Sequence, residues 1–135
     1  MNEQIIKVGL RGEKSTAVTM DSTALAMGSG DLRVFATPAM AALAEGCCAE
    51  SVEDLIDEAE TTVGSKLTIE HLSPSPAGVG IVCKSRLTAT DGRRLDFEFE
   101  VFDSSGLIGR GEHTRYIVNA DKLMKKATDK LRRPI

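Results

Sequence analysis

Aromatic side chains are scarce in this chain of 135 residues, which has no tryptophan, one tyrosine and four phenylalanines. Together with a formal net charge of −3, that scarcity argues against a nucleic-acid-binding protein, which would present a basic stripe interleaved with aromatics. Cysteine occurs three times, as Cys47, Cys48 and Cys83, an odd number without Cys-x-x-Cys spacing. Neither a disulfide framework nor a zinc site is suggested, and a reducing cytoplasm is the expected compartment. The two histidines, His71 and His113, belong to no His-x-x-Glu-His or Cys/His grouping, so no metal is expected. Long apolar runs are missing as well: none approaches the roughly 20 residues that span a bilayer. Met1-Asn2-Glu3-Gln4 has neither the basic start nor the apolar run of a signal peptide, and no membrane partner is expected. The length suits one domain covering residues 1–135.

What is present is strongly patterned. Ser15 to Met20 is a short β-branched run that reads as a strand, followed by an Ala/Gly/Ser-rich piece up to Asp31 that reads as a loop or lid. Thr37-Pro38 then opens the strongest helix signal. Thr is a good N-cap, Pro suits the first helical position, and Ala39 to Ile56 contains no breaker except Gly46. The first turns are apolar and small (Ala39, Ala41, Ala42, Ala44, Gly46, Ala49), which predicts a helix that can lie close to another surface and be covered on most sides.

Beyond the helix the period changes to two. Val63, Ser65, Leu67, Ile69 and His71 alternate with Gly64, Lys66, Thr68 and Glu70, and Val79, Ile81, Cys83, Leu87 and Ala89 alternate with a largely polar set. Leu95, Phe97, Phe99 and Val101 alternate with Asp96, Glu98 and Glu100. Asp91-Gly92 and Asp103-Ser104-Ser105-Gly106 mark hairpin turns, and Leu107 to Val118 reads as a last strand. Residues 120–133 read as a C-terminal amphipathic helix, with Leu123, Met124, Ala127 and Leu131 on one side and a solvated basic face on the other. The expected class is α+β, an antiparallel sheet wrapped round one long central helix. Strands and helices do not alternate and no Gly-x-Gly-x-x-Gly follows a strand, which excludes a Rossmann arrangement.

Few residues in this pattern suit chemistry. Glu45 is the only charged residue between Pro38 and Ala49 and falls inside the apolar arc of the helical wheel, where a carboxylate needs a partner. His71 ends its strand on the face shared by Leu67 and Ile69, so it is expected to point at the helix. A His–Glu pair is a common way to set a general base. Thr37 is accounted for as a cap, yet the amide groups and dipole at that helix start can also stabilise an oxyanion. Cys47 and Cys48, mid-helix in apolar surroundings, read as small buried hydrophobes of raised pKa. The glycines around His113 read as a bent strand or a close backbone approach rather than a phosphate loop.

Several fragments occur in order: Val34-Phe35-Ala36-Thr37-Pro38, then Glu45, Val63-Gly64-Ser65, His71, Asp91-Gly92-Arg93-Arg94-Leu95, and Gly109-Arg110-Gly111-Glu112-His113-Thr114-Arg115. This set resembles the hot-dog thioesterases related to fluoroacetyl-CoA thioesterase, over most of the chain from Val34 to Val118. The resemblance implies a hot-dog fold and hydrolysis of an acyl-CoA by Thr37, Glu45 and His71, with no metal and no separate cofactor beyond the coenzyme A of the substrate. It further implies substrate binding at Gly64, Arg115 and Phe35. It also implies a homodimer, with room for higher oligomers, whose sheets join edge to edge and whose active sites lie near the interface. The segment Ala24 to Arg33 carries Met27 and Leu32 but no Phe, whereas the fluoroacetyl-specific enzyme has Phe residues in a lid there. A general short-chain acyl-CoA substrate is therefore expected over fluoroacetyl-CoA. The alternatives are a hot-dog enoyl-CoA hydratase or dehydratase, and a non-catalytic acyl-CoA-binding module.

Overall fold

The computed structural model describes residues 5–133. The expectations for Met1 to Gln4, and for the two residues after Arg133, lie outside them. Five strands form one antiparallel sheet: β1 (Arg11–Ala17), β2 (Glu60–His71), β3 (Gly80–Thr90), β4 (Arg94–Asp103) and β5 (Gly106–Asn119), in the order β1-β3-β4-β5-β2. Helix α2 (Thr37–Val52) packs on one face, α1 (Ala24–Met27) precedes it, and α3 (Ala120–Thr128) with a 3-10 turn (Asp129–Arg132) follows the sheet. The α+β class, the long helix and the hairpins are as expected, while the C-terminal α-helix stops at Thr128, short of the residues 120–133 read from the sequence. No described helix is long and apolar enough to cross a membrane.

The hairpins follow from local chemistry. Gly92 and Gly106 take φ of 102° and 127° at the β3–β4 and β4–β5 turns, a region where a Cβ is costly. On β4, Leu95, Phe97, Phe99 and Val101 are buried beneath α2, each contributing roughly 1.5–3 kcal/mol of burial. The core divides along the helix. Met40, Leu43, Ala44 and Cys47 pack with Ile81, Cys83, Phe99, Val101 and Ile108, while Cys48 and Val52 pack with Leu87, Leu95, Phe97 and Ile117.

The structure departs from the sequence expectations at five further places. The first strand is Arg11–Ala17 rather than Ser15 to Met20, because its register is set by pairing with β3, Arg11 opposite Arg86 through Ala17 opposite Gly80. The N-cap of α2 is Ala36, with Thr37 as the first helical residue, so the Thr37 hydroxyl is not spent on a cap. The helix ends at Val52 and tightens into a 3-10 turn (Glu53–Leu55) instead of running to Ile56. Nor is it wrapped on most sides: Thr37, Pro38, Ala42 and Glu50 stay exposed, since the sheet covers one face only.

The fifth departure positions the site. A bulge between Gly64 and Lys66 leaves Ser65 without an opposite residue on β5 and switches the facing parity of β2. Thr62 and Gly64 therefore point inward before the bulge, and Leu67, Ile69 and His71 after it, in place of an unbroken Val63, Ser65, Leu67 series. A smaller irregularity between Leu87 and Ala89 likewise leaves Ala89 exposed.

Candidate functional site

Thr37 and His71 meet where α2 begins. Phe35 donates its amide to the Ser75 carbonyl and Ala36 donates to the Ser22 carbonyl, which fixes the chain just ahead of the helix. Thr37 Oγ1 then lies 2.9 Å from His71 Nδ1 at the end of β2. The buried ring of Phe35 meets the imidazole edge-on, with centroids 6.5 Å apart and planes at 73°, and so limits its rotation. His71 Nε2 is buried and has no hydrogen-bond partner among the described residues. The first i→i−4 bond of α2 runs from the Met40 amide to the Ala36 carbonyl. The amides of Thr37 and Ala39 thus belong to the helix end whose N–H groups face outward along the axis.

Glu45 stands eight residues further on (45 − 37), about 12 Å along the helix at 1.5 Å per residue. Its side chain is 46% exposed, not enclosed in the apolar arc as the helical wheel suggested, because only one face of α2 is covered. The partner expected for it was His71. Instead Glu45 Oε2 accepts from Arg115 Nη1 at 3.3 Å and lies 3.7 Å from His113 Nε2. The parity switch in β2 explains this arrangement. Gly64 faces Glu45, and a Cβ there would collide with the carboxylate and stand 3.0 Å from His113 Cε1 and 3.2 Å from Arg115 Nη1.

Arg115 is buried, and its guanidinium is almost fully engaged. Nε donates to Thr62 Oγ1 at 2.9 Å, Nη2 to the Thr62 carbonyl at 2.8 Å, and Nη1 to Glu45 and to His113 Nε2, the latter at 3.1 Å. His113 Nδ1 donates to the Lys66 carbonyl at 2.7 Å, which leaves Nε2 as the acceptor that Arg115 requires. Burial pushes the His113 imidazole below its usual 6.5, and the neighbouring Arg115 adds to this, against the Lys66 carbonyl and Glu45. His113 is the residue that sequence reasoning passed over. The available signal was its place on a strand, where His113, Arg115 and Ile117 share the inward face and Glu112, Thr114 and Tyr116 face out.

The cysteines stay apart from this chemistry. All three are buried and free. Burial pushes Cys48 up to about 12, as expected, and the Cys47 thiol, equally buried, donates to the Cys83 carbonyl at 3.5 Å. A concavity of about 690 Å³ lies on the outer face of the sheet among residues such as Arg11, Glu70, Lys84 and Glu98 and contains none of the candidate residues. Among the described residues no three His, Cys, Asp or Glu side chains group as metal ligands would.

This arrangement has relatives. The chain is 28% identical over 97 residues to the fluoroacetyl-CoA thioesterase of Streptantibioticus cattleyicolor, covering 72% of this chain and 70% of that protein. A solved structure of the fluoroacetyl-CoA thioesterase superposes with a TM-score of 0.89 at 24% identity, covering 94% of this chain and 98% of the other. A thioesterase superfamily member from Thermus thermophilus superposes at 0.87 with 23% identity, over 97% and 99% of the two chains. A hot-dog-like protein from Thermanaerovibrio acidaminovorans gives 0.83 at 19% identity, over 91% of each. Residues 18–121, which hold Thr37, Glu45, His71 and the Arg115 network, match the family model described as fluoroacetyl-CoA-specific thioesterase, and the chain belongs to this family of hot-dog thioesterases.

Proposed function

We propose that the chain hydrolyses an acyl-CoA, or a related acyl thioester, to the free acid and thiol, with Thr37, Glu45 and His71 as its catalytic residues. The observation that carries this is the 2.9 Å contact between Thr37 Oγ1 and His71 Nδ1 at the first residue of a helix. Nucleophile, base and the positive end of a helix dipole coincide there.

The Thr37 hydroxyl proton passes to His71 Nδ1 as Oγ1 attacks the thioester carbonyl carbon. The oxyanion that forms lies against the first-turn amides of α2. Collapse breaks the C–S bond, and the thiol leaves with the proton from His71. Water, deprotonated by the same imidazole, then cleaves the acyl-threonine ester and restores Thr37. Glu45 accepts a hydrogen bond from that water, Gly64 borders the acyl group, and Phe35 braces His71. No metal and no cofactor takes part, since coenzyme A enters as part of the substrate.

Within one chain Thr37 and His71 form one cluster and Glu45 another. A homodimer joined through β2 brings them together. β2 is an edge strand, with Gly64 and Glu45 beside its middle and His71 at its end. Antiparallel pairing with a second copy turns the end of one β2 toward the middle of the other. The exposed side of α2, with Thr37 and Ala42, lies open to such a partner. The lid segment carries Leu25, Met27 and Leu32, all exposed and none aromatic, which suits a general short-chain acyl group better than fluoroacetyl alone. The setting is cytoplasmic, in keeping with three free thiols.

The test is thiol release from a panel of short, branched, aromatic and long acyl-CoAs. Glu45→Gln and His71→Ala should each lower kcat by roughly 10²- to 10⁴-fold while leaving the fold intact. Full activity in both variants would sink the assignment. Substrate turnover without free thiol would point to a hydratase, and tight binding without turnover to a binding module.

A further inference from the structure

The residues around Glu45 form a relay that the catalytic proposal does not use. Lys66 supplies a main-chain carbonyl to His113 Nδ1 because the bulge at Ser65 turns that stretch of β2. With Nδ1 donating, His113 Nε2 carries a lone pair and accepts from Arg115 Nη1. The second proton on Nη1 is then directed at Glu45 Oε2. Thr62 grips the opposite side of the guanidinium through its hydroxyl and its carbonyl.

From this geometry we infer that His113 is a positioning residue. Its neutral Nδ1–H tautomer fixes the orientation of Arg115, and Arg115 in turn holds the Glu45 carboxylate beside Gly64. The inference rests on Glu45 acting in catalysis as proposed above.

Two physical points support the relay over simple core filling. A buried imidazole that served only to fill space would need one hydrogen bond, yet this one has both nitrogens engaged, each by a different strand. The carboxylate it serves is also half exposed, so solvent alone would leave Glu45 free to rotate. A guanidinium held at its other donors has few orientations left, and the one it adopts presents Nη1 to Glu45. A protonated imidazole could not take part. Its Nε2–H would confront the Arg115 Nη1 protons, like charge against like charge, and the bond to Arg115 would be lost.

Two substitutions at His113, a Glu45→Gln background and one spectrum test the relay. His113→Leu removes both hydrogen bonds at similar volume, and His113→Gln returns an amide oxygen near the position of Nε2. We expect His113→Leu to lower kcat for thioester hydrolysis at least 10-fold with KM within about 2-fold, and His113→Gln to recover most of that loss. In a Glu45→Gln background the His113→Leu change should have no further effect on kcat, because the group being positioned is gone. Nitrogen-15 NMR of the imidazoles at pH 7 should show His113 neutral, with Nδ1 protonated and Nε2 unprotonated. Unchanged kcat in folded His113→Leu overturns the relay. So does an equal loss in His113→Gln, an undiminished His113→Leu effect in the Glu45→Gln background, or a ring protonated at Nε2. The spectrum still decides the tautomer if His113→Leu fails to fold. Full activity of Glu45→Gln alone would instead remove the catalytic assignment on which the relay depends, so the two failures are distinguishable.

Discussion

Thr37 Oγ1 and His71 Nδ1 lie 2.9 Å apart although 34 residues separate them in the chain. The contact depends on Ala36 taking the cap position, which places Thr37 inside the helix with its hydroxyl free to reach β2. An N-capping Thr would instead have turned its oxygen back toward the amides of its own first turn.

This placement separates the two hydroxyl residues from alanine. Thr37→Ser keeps an oxygen at the same place and should retain activity within roughly 10-fold, whereas Thr37→Ala should lose about 10²-fold or more in kcat. Because Thr37 makes no capping bond, Thr37→Ala should cost less than the ~1 kcal/mol typical of a lost cap. Thiol-release kinetics paired with urea denaturation checks both halves.

Gly64 tests the second cluster. Its φ lies outside the left-handed region, so glycine is required there by space and not by backbone strain. A methyl group would displace the Glu45 carboxylate and press on His113 and Arg115. Gly64→Ala should therefore lower kcat roughly 10- to 100-fold while costing about 1–2 kcal/mol of stability, since the half-exposed end of Glu45 can move aside. A kcat unchanged from wild type would mean that Glu45 does not work from this position.

The sequence made α2, the hairpins and the inward faces of β3 and β4 legible, because Thr37-Pro38, Asp91-Gly92 and the Phe97/Phe99 alternation are strong local signals. The partner of Glu45 was not legible. Period-two reasoning carries one parity through a strand, and the bulge at Ser65 reverses it without any Gly-Gly or Pro signature at that residue. The error placed Val63 on the inner face in place of Thr62 and Gly64. That hid the fact that Gly64, opposite Arg115 on β5, opens the space Glu45 occupies. The exposure of Glu45 was illegible for a different reason: a helical wheel shows which residues are apolar but not how much of the helix the sheet covers.

The separation of the Thr37–His71 pair from Glu45 within one chain leads to a complementation result. If each working site takes Glu45 from one protomer and Thr37 with His71 from its partner, then Glu45→Gln and His71→Ala homodimers are each inactive but can restore one another. Mixed dimers made by unfolding and refolding the two together carry one intact site of two. Random pairing should then return about a quarter of wild-type activity. Native mass spectrometry with one variant isotopically labelled confirms that dimers have exchanged, and no recovery from exchanged dimers would place each complete site within a single chain.

His113 also links the site to pH through stability. Burial, with Arg115 beside it, holds its folded-state pKa below the 6.5 of an exposed ring, although Glu45 from α2 and the Lys66 carbonyl from β2 favour the charged form. Phe97, opposite it on β4, contributes no charge. As pH falls from about 6.5 toward the lower folded value, the unfolded chain takes up a proton at this position before the native chain does, so native stability declines over that interval. Below the folded value the two states are equally protonated there and the contribution stops changing. Urea unfolding at a series of pH values should show wild type losing more stability than His113→Gln between pH 6.5 and pH 5. The comparison with His113→Gln isolates the contribution of this ring. Parallel stability curves for the two proteins would show that the native imidazole titrates as an exposed one does, which is incompatible with a buried ring engaged at both nitrogens.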